Sequence, residues 1–162
     1  MTDVSEETRK VYSAQHKRMA ADDRAMTRWT GMFSTDYFGV PANYFEGKRA
    51  LDAGCGDTVK VPIALYNMGC RDICAFDLGD ELIETASASL DKFNVPRSSV
   101  SMRGASVTYI PYENGQFDFT SCHGVLVHLG DHEEVSKGFG ELARVTKSGG
   151  RLYTVYGAVG GF

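Results

Sequence analysis

From residue 48 onward the chain alternates between two hydrophobic periods. Short apolar-rich runs at 48–53, 72–77, 100–103, 117–122 and 150–156 predict strands, and between them apolar residues recur at helical spacing over 59–68, 80–93 and 133–145. In the second helix the stripe is Leu82, Ile83, Ala86, Leu90 and Phe93, stopped by Asn94-Val95-Pro96; in the third, Val135, Phe139 and Leu142 face inward. Gly69 ends the first helix, Pro62 is tolerated because it falls in its first turn, and Asn114-Gly115 turns into the fourth strand. Strands separated by helices at this spacing predict an α/β fold with a doubly wound, mainly parallel sheet. Ligands of such sheets sit beyond the carboxyl ends of the strands, at the topological switch point.

Residues 1–46 carry a different pattern and read as a helical N-terminal cap on a core of 47–162. Val11, Tyr12, Ala14, Met19, Ala20, Met26 and Trp29 are scattered apolar points among charges, followed by the aromatic run Phe33, Tyr37, Phe38, Tyr44 and Phe45. Such a cap covers one end of the sheet. In a functional role it closes over a bound ligand, with Trp29 and Tyr37 the residues to follow and Tyr12 and Tyr37 placed to orient a substrate.

With 162 residues, 43% apolar and 23% charged, the chain fits one compact globular domain. A net charge of −4 leaves no electrostatic footprint for nucleic acid, because the basic pairs near Arg9-Lys10 and His16-Lys17-Arg18 are interleaved with acids. No apolar run approaches the roughly 18 residues that span a bilayer, and the polar N-terminus is not signal-like, so the expected location is cytoplasmic with no membrane partner. Cys55, Cys70, Cys74 and Cys122 form no CxxC pair and read as reduced structural thiols.

The candidate chemistry starts at Leu51-Asp52-Ala53-Gly54-Cys55-Gly56, a strand emptying into a glycine turn. Two glycines one residue apart let the backbone turn sharply and approach a ligand closely, while the next helix offers unpaired N–H groups and a positive dipole end. The third glycine of the dinucleotide fingerprint is missing, since Asp57, Thr58 and Val59 follow Gly56; this disfavours a pyrophosphate-binding nicotinamide or nucleotide-sugar enzyme. Asp52 before the turn suits a ligand with a positive amino group. Asp77 ends the second strand about twenty residues on, where an acid bridges the two hydroxyls of a ribose.

Further along stand Gly104-Ala105-Ser106, Phe117-Asp118, Cys122-His123-Gly124, His128, and Glu141-Leu142-Ala143-Arg144-Val145 leading to Lys147-Ser148-Gly149-Gly150. In this order, from 48 to about 157, the segments resemble the class I S-adenosylmethionine-dependent methyltransferases, in particular the small-molecule branch related to ubiquinone biosynthesis. The resemblance implies a Rossmann-like methyltransferase sheet and a cofactor site for S-adenosyl-L-methionine and its product S-adenosyl-L-homocysteine. Asp52, Gly54 and Gly56, with the backbone at Ala53 and Cys55, would hold the methionine part; Asp77 would take the ribose hydroxyls and Leu78 would lie against the adenine. Ala105 and Ser106 stand where the family often places an acid that reads the adenine amino group, and His123 and Gly124 would line the pocket near the sulfonium.

Methyl transfer is an in-line displacement at a carbon the cofactor already activates, so the protein supplies position, desolvation and sometimes a base. His123 is the candidate base, nearer the expected pocket than His128, whose position in the family reads as structural, or His132. His128 and His132 with Cys122 invite a zinc reading, but no HExxH pattern or second cysteine pair accompanies them, and no metal is expected.

Two departures from the family pattern stand out. Thr58 replaces the usual third glycine and predicts weaker cofactor binding, with Pro62 removing one N–H from the helix beyond it. The family sheet continues past a fifth strand, whereas this chain runs out in Tyr156-Gly157-Ala158-Val159-Gly160-Gly161-Phe162. The expectation is a fragment or shortened homologue whose fifth-strand edge is open to homodimer formation. The two functions carried forward are methyl transfer to a small molecule and a non-catalytic cofactor-binding or interaction module.

Overall fold

The computed structural model describes residues 22–78 and 80–156, with the side chains of 80–84 left aside. The expectations for Val11, Tyr12, Ala14, Met19, Ala20, for the side chains of Leu82 and Ile83, and for 157–162 lie outside the described residues.

Five strands form one sheet: β1 (Arg49–Ala53), β2 (Asp72–Asp77), β3 (Val100–Gly104), β4 (Phe117–His123) and β5 (Thr146–Val155). Their order is β3-β2-β1-β4-β5 and every neighbouring pair is parallel. The chain runs outward from β1 through β2 to β3, then returns to the other side of β1 for β4, so the switch point lies between β1 and β4. Among the described residues four helices accompany the sheet: α1 (Asp23–Met32), α2 (Lys60–Asn67), α3 (Asp80–Lys92) and α4 (His132–Val145). The doubly wound α/β architecture expected from the alternating periods is the one observed.

Because side chains alternate across a strand, each strand feeds two cores. Ala50, Ile73, Ala75 and Phe119 point to the face packed by Ile63, Leu65, Ala86 and Leu90 of α2 and α3, whereas Leu51, Ala53, Cys74, Phe76, Phe117 and Cys122 point to the face packed by Leu142 and Val145 of α4. Phe33, Phe38 and Phe45 join the first core: Phe38 meets both Phe119 and Tyr153 with ring centroids 5.0 Å apart. α1 adds Met26, buried in the same cluster, and Lys92 of α3 pairs with Asp23.

Side chains also set the helix ends. Asp22 caps α1 by accepting from the N–H groups of Arg24 and Ala25, and Asp131 caps α4 by accepting from Glu134 N–H at 2.8 Å. At the amino ends of the strands, Asp118 Oδ2 accepts from Arg49 N–H at 3.0 Å and from Lys147 Nζ at 2.9 Å, tying β1, β4 and β5 together. Glu141 accepts from Ile110 N–H, and Arg144 donates to the carbonyls of Ile110 and Tyr112, fastening α4 to the loop before β4.

One boundary differs from expectation. β5 begins at Thr146, paired with Phe117, and the register then jumps so that Arg151 faces Phe119. Residues 147–150 bulge out between those pairs. Gly149 has φ +76, and a Cβ on Gly150 would lie 2.9 Å from the Lys147 carbonyl oxygen and 3.0 Å from that of Asp118. The glycine pair that reads as the strand's introduction is a bulge within it.

All four cysteines are buried and unpaired. Burial pushes the Cys70 thiol up to about 11 and that of Cys122 to about 12, and raises Cys55 as well, so these thiols stay protonated and inert at neutral pH. Among the described residues no helix is long and apolar enough to cross a membrane.

Candidate ligand site at the carboxyl ends of the strands

Asp52 of β1 lies between Ala75 of β2 and Ser121 of β4, with its side chain on the α2 and α3 face. It is only 2% exposed, and one carboxylate oxygen accepts from Ser121 Oγ at 2.6 Å. Desolvation dominates its titration and pushes it up to about 7; the Ser121 hydrogen bond and the Lys60 charge pull it down, and the Asp77 carboxylate adds to the rise.

The glycine turn that follows is internally satisfied. The N–H groups of Gly54 and Cys55 both donate to the Phe76 carbonyl, at 2.9 and 3.0 Å, and Gly56 N–H donates to Asp77 Oδ2 at 2.8 Å. Contrary to the simplest reading of such a turn, these three donors are not held out for an anion. Gly54 has φ +82, and a Cβ there would overlap Val125 Cγ2, so the position needs glycine twice over. The missing third glycine acts one residue later than expected. Thr58 is buried with an ordinary φ, while Val59 takes the left-handed conformation at φ 42 and caps α2 without a side-chain hydrogen bond. A β-branched residue there stores strain beside the site.

Asp77 continues the Ile73, Ala75 alternation and so shares the Asp52 face. Its Oδ1 accepts from Leu78 N–H at 2.8 Å, and with Gly56 on Oδ2 each oxygen keeps a lone pair for a further donor. Leu78 is 61% exposed, an apolar side chain standing in solvent at the end of β2. Ala105 N–H donates to the Asp77 carbonyl at 2.9 Å, which brings that strand end alongside. Ser106 is directed elsewhere: its hydroxyl is 2.8 Å from Thr108 Oγ1 and accepts from Thr108 N–H, closing a local turn.

His123 ends β4 on the same face as Ser121. Its Nε2 is 3.5 Å from Tyr37 Oη, and its ring meets Phe33 edge to face at 5.4 Å. Burial, followed by the nearby Lys60 charge, holds the imidazole below its ordinary range, so it is neutral at physiological pH with a nitrogen lone pair free to accept a proton. Gly124 has φ +73 with open space where a Cβ would go, and its N–H donates to the Val155 carbonyl at 3.1 Å. His128 lies in the 3₁₀ turn Leu126–His128, His132 is exposed at the start of α4, and Cys122 points into the opposite core. Among the described residues no three His, Cys, Asp or Glu side chains are placed to hold a metal ion.

Three residues that pattern reading passed over join this group. Lys60 opens α2 half-buried, with Nζ 4.9 Å from the centre of the Trp29 ring, and burial lowers its pKa against the pull of Asp52. A lone lysine after a glycine turn reads as a solvated charge. Ser121 and Val125, which hold Asp52 and crowd Gly54, are visible only once β4 is placed beside β1.

Residues 51–154 match the family model described as a methyltransferase domain. The chain belongs to this methyltransferase family. A relative in Schizosaccharomyces pombe, an uncharacterized methyltransferase, is 33% identical over 107 residues, covering 63% of this chain and 37% of its own. The methyltransferase domain thus spans little more than a third of that relative. Among solved structures, a Methanococcus maripaludis protein assigned as an S-adenosylmethionine-dependent methyltransferase superposes with a TM-score of 0.67 at 21% identity, over 95% of this chain and 64% of that one. Phosphoethanolamine N-methyltransferase 1 of Haemonchus contortus, solved with phosphoethanolamine and S-adenosylhomocysteine, gives 0.61 at 16% identity over 85% and 26%. The fold of the methyltransferase domain is therefore that of the class I enzymes, and its family segment contains β1, the glycine turn, Asp77 and His123.

Proposed function

We propose that this chain is the core of an S-adenosyl-L-methionine-dependent methyltransferase that acts on a small-molecule acceptor, with residues 1–46 as its cap and 47–162 as its cofactor-binding core. The observation that carries the reading is the convergence of Asp52, Asp77 and His123 on one face of the sheet, beside the switch point, within the family segment. The donor set fits the cofactor: a buried carboxylate within electrostatic reach of the Lys60 cation for an amino-acid end, a second carboxylate with spare acceptor capacity for a diol, and exposed Leu78 for a purine face. When bound, S-adenosyl-L-methionine supplies a methyl group already activated by its positive sulfur.

In this reading Asp52 accepts from the cofactor's ammonium, the backbone of Ala53, Gly54, Cys55 and Gly56 allows its close approach, and Asp77 accepts from the ribose hydroxyls. Ala105 and Gly124 form the floor, and Ser106 meets the adenine edge only by giving up Thr108. His123 takes the proton from an acceptor nitrogen or oxygen, and Tyr37 orients the imidazole. The cap aromatics exclude water from the transfer.

Thermal denaturation with S-adenosylhomocysteine and, separately, NAD tests this reading. At a hundred times its dissociation constant the homocysteine compound adds about 2.7 kcal/mol of stability while NAD adds none. Asp77→Ala abolishes most of that gain; no shift in the wild type removes the reading. A second reading, a non-catalytic cofactor-binding module, draws on the strained Val59 and on Val125 crowding the turn. Binding without turnover across an acceptor panel selects it.

A further inference from the structure

Lys60 occupies an unfavourable position for a cation. It opens α2, where the helix dipole is positive, beyond a residue that offers no side-chain cap, and it is half-buried. Among the described residues no carboxylate lies within ion-pair distance of its Nζ, which rests instead over the face of Trp29. The neighbouring turn has committed the N–H groups of residues 54–56 to Phe76 and Asp77, so those three donors are not offered to an anion. Asp52, close enough for the two charges to perturb one another, supplies the opposite sign.

A zwitterionic amino-acid end needs one anion and one cation side by side. We infer that Lys60 is a specificity-determining residue that binds the α-carboxylate of the cofactor's amino-acid end, with its aliphatic stem held by Trp29, while Asp52 takes the α-ammonium. This rests on the cofactor reading above and names the residue by which the site distinguishes an amino acid from a simple amine. The cation–π contact parks the ammonium at modest cost in the free protein, and a carboxylate is the stronger partner.

The test is calorimetric titration of the full chain with S-adenosylhomocysteine and with its decarboxylated analogue, which keeps the amine and the nucleoside. Wild type prefers the complete compound by about ten- to a hundredfold, the scale of one charge-assisted contact. In Lys60→Met, titrated at about pH 9 so that Asp52 is ionised in both proteins, the two compounds bind within about twofold of each other because only the complete one loses a contact; Lys60→Arg keeps the preference. Trp29 is the chain's one tryptophan, so its fluorescence reports the event directly: it shifts with the complete compound and not with the analogue. Equal loss of affinity for both ligands in Lys60→Met, or an unchanged preference, overturns the assignment while leaving the cofactor reading intact. If wild type binds neither compound, both readings fall.

Discussion

A carboxylate with 2% exposure that accepts from a serine hydroxyl, such as Asp52, destabilises the fold that holds it. Unfolded, it titrates near about 3.9; folded, at about 7. Between those values the folded state holds the extra proton, so its contribution to stability is present below about pH 4 and lost as pH rises through 7. Denaturant titrations of the ligand-free protein should show Asp52→Asn gaining on wild type across this window, by up to about 4 kcal/mol at pH 8. The same substitution should weaken S-adenosylhomocysteine binding, and wild-type affinity should rise from pH 6 to pH 8 as Asp52 ionises. His123 titrates below its ordinary range, so a rate that depends on its neutral form has the midpoint of its acid limb below about pH 6.5. His123→Gln should remove that acid limb from the pH profile of kcat measured at saturating cofactor, where cofactor binding at Asp52 no longer limits the rate. At this scale the placing of Asp52, Asp77 and His123 at or near the ends of their strands was legible in the sequence, because it follows from strand periodicity alone. Lys60 was not: its meaning depends on Trp29, thirty-one positions earlier, and on N–H groups whose partners only the fold assigns.

The elements are positioned by contacts that strand and helix periodicity does not encode. β2 runs from Asp72 to Asp77 as its pattern predicts, and α3 and α4 hold to within a residue of expectation, because each has a clear stripe and a definite stop. β5 departs because its first pairing, Thr146 with Phe117, is separated from the rest by a bulge that only its partner strand reveals. The loop after β4 is fixed by a similar encounter, Val125 against Gly54. Gly54→Ala should destabilise by at least about 2 kcal/mol, combining a positive-φ penalty with overpacking. Val125→Ala in the same chain should recover the packing part and leave the backbone part, so chemical denaturation of the single and double variants should be markedly non-additive.

For the molecule as a whole, the sheet order places β3 and β5 at the edges, and among the described residues β5 pairs with β4 alone. Leu152 and Tyr156 are exposed beside that edge. An edge strand with one side open is a template for another chain, so light scattering of this 162-residue chain should give twice its 17.7 kDa, and Leu152→Lys should return the monomer; a monomeric wild type removes the dimer. The order of helices and strands, the parallel doubly wound class and the glycine turn were determined by sequence alone, since each follows from local periodicity and backbone freedom. Which face of each strand meets which helix, how the turn's donors are spent and which cation stands beside Asp52 were decided by tertiary structure. Those depend on strand register and on desolvation, and both arise between residues far apart in the chain.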